Sequence, residues 1–151
     1  MVSMTTLEET QSQLNYEVAV YREQLNMLKR ETERISLTTL DLSNALRTVE
    51  SLGAMAVMMP IGGGAMVRGK TTDTRVLMPI GAEYLVEMEK ERAISELERR
   101  IEATKKALEK LNAEFGNVMT KLRDVSGRLD DLQTQVQIST RADENIKDDY
   151  I

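Results

Sequence analysis

The side chains that most often carry chemistry are absent from this sequence of 151 residues or do not form a site. There is no cysteine and no histidine, so thiol nucleophiles, disulfides and histidine-based acid–base or metal sites are excluded. The glycine run Gly62-Gly63-Gly64 is not followed by the lysine, the hydroxyl residue and the helix start that a phosphate-binding loop needs. We therefore expect no catalysis, no cofactor and no metal site.

The charged residues are plentiful and mixed in sign. They make up 30% of the chain, with a formal net charge of −5. No region is strongly basic, which disfavours nucleic-acid binding. The pairs Arg99-Arg100 and Lys105-Lys106 fit a solvated helix face, although contact with an acidic partner is an alternative. The first ten residues do not read as a signal peptide, and no stretch is apolar enough to span a bilayer. We therefore expect a cytoplasmic protein with neither nucleic-acid nor membrane partners.

Two long segments carry mainly apolar residues at alternating spacings of three and four. The first seam is Met4, Leu7, Gln11, Leu14, Val18, Tyr21, Leu25, Leu28, Thr32, Ile35, Thr39, Leu42, Leu46 and Val49. The second seam is Ile94, Leu97, Ile101, Thr104, Leu108, Leu111, Phe115, Val118, Leu122, Val125, Leu129, Leu132 and Val136. Six heptads in phase are typical of a coiled coil. Because the seams match in length, we expect helices over residues 1–52 and 87–138 that pack as an antiparallel hairpin.

Residues 53–86 interrupt this pattern with glycines and prolines that a long helix would not contain. The motif Met59-Pro60-Ile61-Gly62 recurs as Met78-Pro79-Ile80-Gly81, and a second apolar run follows each copy. The segment therefore predicts four short strands in two hairpins. The predicted fold class is mainly α, a long antiparallel coiled-coil hairpin with two short β-hairpins between the helices. Residues 139–151 lack a seam, are acidic and are predicted to form a disordered tail.

The predicted strands are apolar on both faces, and a small sheet of this kind is marginal in water by itself. We therefore infer that the segment pairs with β segments of other subunits. The residues expected at this assembly surface are Val57, Met59, Ile61, Met66, Val67, Val76, Leu77, Met78, Ile80, Leu85 and Val86.

The two repeats carry a family resemblance. Met58–Val67, reading MMPIGGGAMV, and Val76–Glu87, reading VLMPIGAEYLVE, resemble two sequence blocks of prefoldin, and two hairpins rather than one indicate its α class. The chain departs from the family pattern at Met66, where an aromatic residue is common, and at Glu83, where glycine is common. Met88 also replaces a usual lysine.

The resemblance implies a hexamer of two α and four β subunits that binds unfolded client proteins and passes them to a group II chaperonin without ATP. In an antiparallel hairpin both chain ends lie at one tip, where helix ends fray and expose apolar groups. The residues expected to contact clients there are Met1, Val2, Met4, Leu7, Val136 and Ile138. Two alternatives are a structural coiled-coil spacer or tether without client binding, and a coiled-coil arm on nucleic-acid machinery.

Overall fold

The computed structural model describes residues 4–148 and contains two helices and four strands. The elements are α1 (Met4–Glu50), β1 (Ala56–Gly62), β2 (Ala65–Lys70), β3 (Val76–Gly81), β4 (Tyr84–Met88) and α2 (Lys90–Asp148). The strands form two separate antiparallel pairs, β1 with β2 and β3 with β4. The predicted fold class, two long helices with two small β-hairpins between them, is confirmed. Neither helix in the described range combines the length and the apolar character needed to cross a membrane.

The helix boundaries differ from the predicted ones most at the carboxyl end. The sequence predicted a disordered tail over residues 139–151, whereas α2 continues through Asp148. No glycine or proline interrupts this stretch, and the Thr140 hydroxyl donates to the Val136 carbonyl at 2.9 Å, within the helix. The helix therefore extends beyond Val136, where its apolar seam ends. At its other end α2 begins at Lys90 rather than at residue 87, because β4 extends to Met88.

The chain divides into two compact units. The terminal unit contains the residues up to Glu33 and from Glu109 onward. Its core is the seam between the two helical segments, where Val18, Val118 and Val125 are buried. Leu7 and Val136 line one groove, and Leu28 and Val118 line another, so the segments run antiparallel.

The hairpin unit comprises residues Arg34–Leu108. Its core contains five buried side chains, and apolar residues from both helices and from β3 and β4 surround them. The buried members are Val49, Met78, Met88, Ala93 and Leu97, and the partly buried ones are Leu42, Ala45, Leu46, Val76, Val86 and Ile94. The second β-hairpin is therefore anchored on the helices of its own chain.

The repeated Met-Pro-Ile-Gly motif places a bulge before each hairpin turn. In β1, Pro60 pairs with Met66 and Gly62 pairs with Ala65, which leaves Ile61 as an extra residue. The second copy repeats this arrangement and leaves Ile80 as the extra residue of β3. Proline suits this position because it cannot donate to a regular ladder.

The loops on either side of the hairpins are held by specific hydrogen bonds. The Thr71 amide donates to the Met55 carbonyl at 2.9 Å, and the Thr71 hydroxyl bonds to the Gly53 carbonyl. The Lys90 ammonium group donates to the Leu52 carbonyl at 2.9 Å. These bonds fix the points at which the chain leaves α1 and enters α2.

Candidate functional site

The second β-hairpin has one face buried within the chain and one face exposed. Val76 opposite Met88 and Met78 opposite Val86 form the inner face. The next positions in the ladder, Leu77 opposite Glu87 and Pro79 opposite Leu85, turn to the other face because side chains alternate along a strand. The side chains of Leu77 and Leu85 are exposed. The hairpin therefore offers an outer face that is apolar except at Glu87.

This arrangement changes the role of three residues predicted for assembly. Val76, Met78 and Val86 pack in the core of the hairpin unit, and Met78 is only 4% exposed. The prediction treated both faces of these strands as free. The structure instead uses one face internally, because buried side chains of α1 and α2 cover it.

The first β-hairpin is exposed over nearly its whole surface. Val57, Met59 and Val67 share one face, and Met59 reaches across Gly69. Only Val57 of these three side chains is partly buried. Met66 lies on the opposite face, next to the bulge residue Ile61, and both are exposed. These side chains and those of Leu77, Ile80 and Leu85 form the candidate assembly surface.

A charged cluster on α2 holds the end of the second hairpin. Glu96 accepts hydrogen bonds from the guanidinium groups of Arg99 and Arg100 at 2.8 to 3.0 Å. Arg100 also donates from Nη2 to the Pro79 carbonyl at 2.8 Å. Hydrogen bonds from Arg99, and then from Arg100, lower the pKa of the Glu96 carboxyl to about 2. Glu96 therefore holds Arg100 in position, and Arg100 binds the Pro79 carbonyl next to the bulge of β3.

The terminal unit contains an apolar groove between the start of α1 and the last turns of α2. We refer to it as the terminal groove, a cavity of about 140 Å³ lined by Met4, Leu7, Glu8, Gln11, Val136, Ser139, Thr140 and Asp143. Met4 is 67% exposed, whereas Leu7 and Val136 are half-buried in the seam. The lining of the groove therefore contains both half-buried seam side chains and the exposed Met4.

Three of the six predicted tip residues come together in the terminal groove, namely Met4, Leu7 and Val136. Ile138 is not among the residues that line it, but it is 63% exposed on the same part of α2. Met1 and Val2 lie outside the described residues. Ser139, Thr140 and Asp143 also line the groove, although the sequence placed them in a disordered tail.

A family model described as prefoldin subunit matches residues 21–137, which include both hairpins and most of both helices. The chain belongs to the prefoldin family. The resemblance seen in the two Met-Pro-Ile-Gly segments is thereby confirmed.

Curated relatives and a solved structure agree with this assignment. The prefoldin subunit alpha of Methanococcus aeolicus is 31% identical over 102 residues, which cover 66% of this chain and 70% of the relative. Prefoldin subunit alpha 1 of Methanocaldococcus jannaschii is 25% identical over 144 residues, covering 92% and 96%. The cryo-EM structure of filamentous PFD from M. jannaschii matches with a TM-score of 0.64 and 26% identity, covering 75% of this chain and 98% of that chain. The chain is thus an α-class prefoldin subunit with archaeal relatives.

Sequence reasoning missed the residues that position the hairpins. Arg100 was treated as part of a solvated helix face, but it binds the Pro79 carbonyl. Thr71 was assigned no role from the sequence, but it closes the loop onto Gly53 and Met55. No local signal marks either contact, because the partners are backbone carbonyls 21 and 16 to 18 positions away.

Proposed function

We propose that this prefoldin-family chaperone subunit works as a holdase, which captures unfolded proteins in its terminal groove without ATP. It acts in a hexamer of two α and four β subunits in the cytoplasm, and it passes clients to a group II chaperonin. The observation that carries the proposal is the terminal groove, where the exposed Met4 side chain borders the apolar seam residues Leu7 and Val136.

Assembly is supported by the exposed apolar side chains of the hairpins. Ile61, Leu77 and Ile80 are each about 60% exposed or more in the single chain. Each hairpin is a two-stranded sheet within the described residues, so its outer edges keep backbone groups for further pairing. Strands from β-class subunits would cover these side chains and satisfy these edges.

Client capture is supported by the chemistry of the groove. Unfolded segments share exposed apolar side chains and little else, so a receptor for them needs apolar contact without strict shape. Methionine is unbranched and adapts to irregular partners. Each groove buries little area and should bind weakly, but several subunits that hold one client raise the effective concentration and therefore the avidity.

The spacer or tether alternative requires neither surface. A spacer needs a continuous seam, which the helices supply, but it gives no reason for exposed apolar side chains on both hairpins. It also predicts that changes at the groove leave client aggregation unaffected.

The first prediction is that Met4→Ser with Ile138→Ser weakens the suppression of client aggregation by the assembled complex. Both side chains are more than 60% exposed, so the change should leave the buried and half-buried part of the seam, from Leu7 onward, intact. Lost apolar contact at the tips of both α subunits should raise the concentration for half-maximal suppression roughly threefold or more. Light scattering of a thermally unfolded client measures this concentration.

Met27→Ser with Leu37→Ser is the matched control, because these side chains are 58% and 64% exposed but do not line the groove. The control should behave as the unmodified complex does. Equal loss in both double variants, or no loss in either, would contradict client capture at the groove.

A further inference from the structure

The terminal groove combines its apolar lining with a strongly acidic surround. Glu8 of α1 and Asp143 of α2 line it from opposite helices. Residues 4–20 contain three acidic and no basic side chains, and residues 129–148 contain five acidic and two basic ones, which together give a net charge of −6. Residues 21–128 contain 16 acidic and 18 basic side chains. The negative charge of the described chain is thus concentrated in the terminal segments of the two helices, which contain the groove.

Neither of the two carboxylates that line the groove takes part in an ion pair within residues 4–148, although Arg141 lies two positions before Asp143 and Lys147 lies one helical turn beyond it. Both side chains are exposed. Their charge is therefore available to a molecule that occupies the groove.

We propose, on the basis of the client capture proposed above, that the terminal groove prefers unfolded segments in which an apolar side chain lies next to lysine or arginine. The apolar side chain would contact Met4, Leu7 and Val136, and the adjacent cation would lie between the carboxylates of Glu8 and Asp143. An acidic segment would meet repulsion from both carboxylates. The groove thus adds a charge preference to apolar contact.

The expected size of this preference follows from the strength of exposed ion pairs. One exposed pair changes a binding constant by a factor of about 1.4 to 5. Salt screens such a pair, and the screening length is about 10 Å at 0.1 M. Two carboxylates should therefore give roughly fivefold discrimination at low salt. The preference should disappear in about 1 M salt, whereas the apolar contact should remain.

The experiment uses the complex assembled with β-class subunits and three fluorescent peptides of the same length with identical apolar residues. Lysine, glutamine or glutamate flanks these apolar residues, and fluorescence anisotropy gives each Kd at low and high salt. We expect the lysine peptide to bind roughly fivefold more tightly than the glutamine peptide, and the glutamate peptide to bind most weakly. Glu8→Gln with Asp143→Asn should reduce the lysine-to-glutamate ratio towards one.

Asp130→Asn with Asp131→Asn is the charge-matched control, because these residues carry the same charge in the same unit but do not line the groove. This control should preserve the order of the three peptides. Equal reduction of the ratio by both double variants would overturn the assignment to Glu8 and Asp143. A lysine peptide whose apolar residues are replaced by serine should bind at least tenfold more weakly than the original lysine peptide. Unchanged binding would also overturn the proposal.

The peptide Kd values distinguish failure of the charge preference from failure of client capture. If all three peptides bind with one Kd, and Met4→Ser with Ile138→Ser weakens them all, the charge preference is wrong and capture stands. If Met4→Ser with Ile138→Ser leaves the Kd of the glutamine peptide unchanged, capture at the groove is itself wrong.

Discussion

Ala82 and Glu83 hold a backbone conformation that L-residues seldom adopt. Their φ angles are 48° and 64°, and the equivalent positions of the first turn are Gly63 and Gly64 at 58° and 80°. Positive φ at both central residues is what a two-residue hairpin turn of type I′ requires. The second turn therefore has the geometry of the first but lacks its glycines.

The second prediction is that Glu83→Gly stabilises the second hairpin. The left-handed conformation costs a residue with a Cβ about 1–2 kcal/mol, and the greater freedom of glycine in the unfolded chain offsets part of the gain. We expect the opening free energy of β3 and β4 to rise by about 0.5–1 kcal/mol, measured by hydrogen exchange of their amides. Glu83→Ala is the control, because it removes the carboxylate but keeps the strain, and an equal gain there would refute the explanation.

The third prediction concerns the pH dependence that Glu96 contributes. Its pKa is lowered to about 2 in the folded chain, so the stabilisation is complete above its usual value of about 4.5 and is lost as the pH falls towards 2. The difference in denaturation midpoint between the unmodified chain and Glu96→Gln should therefore be constant from pH 7 to 5 and shrink below about 4.5. Glu98→Gln is the control, since Glu98 is exposed and forms no ion pair within residues 4–148. A difference that does not change down to pH 3 would contradict the role of the Glu96–arginine cluster.

Among the secondary structure elements, the two hairpins differ in how much of their surface the chain itself covers. The inner face of β3 and β4 packs on α1 and α2, whereas β1 and β2 keep most of their apolar side chains exposed. The contrast separates residues that stabilise the fold from residues available to other subunits.

The fourth prediction is that Ile80→Asp blocks assembly without unfolding the chain. Ile80 is a bulge residue that is 58% exposed, so a carboxylate there is solvated in the single chain but would be buried at a subunit interface. Size-exclusion chromatography with a β-class partner should show loss of the complex, and circular dichroism should show unchanged helicity.

Met78→Asp is the contrasting variant, because Met78 is buried in the core of the hairpin unit. It should lower the free energy of unfolding by more than about 2 kcal/mol, since an unpaired carboxylate would enter the core. Val76→Asp would likewise test folding more than assembly. A full-size complex containing Ile80→Asp would show that the bulge does not lie at a subunit interface.

The sequence was sufficient to predict the elements and the antiparallel pairing of the two seams, but not how the second β-hairpin packs on the helices. The 3,4 spacing identified both helices, and every seam residue of α1 from Leu7 to Val49 is buried or half-buried. The periodicity could not show which face of β3 the helices cover, because Val76, Leu77, Met78 and Ile80 are all apolar. It also could not predict that α2 continues to Asp148, since backbone hydrogen bonds hold a helix beyond the end of its apolar seam.

The candidate site was also predictable only in part from the sequence. The antiparallel seam was enough to bring Leu7 to Val136, which share the terminal groove. Asp143 was not predicted, because the tail was expected to be disordered, and without Asp143 nothing distinguished Glu8 from the other exposed carboxylates of the first helix.

At the scale of the whole molecule, each compact unit has one proposed role. The hairpin unit exposes apolar side chains suited to pairing with other subunits, and the terminal unit exposes an apolar groove surrounded by carboxylates. Neither role requires a nucleophile, a metal or a nucleotide. Assembly matters to capture because several weak grooves must act on one client.

Site-specific photo-cross-linking tests the central claim, client capture at the terminal groove, most directly. A photoreactive phenylalanine analogue replaces Met4, which lines the groove, in one variant and Leu37, which does not, in another, since both side chains are exposed to a similar extent. Each variant is assembled with its β-class partner and irradiated with an unfolded client. We expect adducts between client and subunit to form several-fold more at position 4 than at position 37. Equal adducts at the two positions, or adducts mainly at position 37, would contradict the claim.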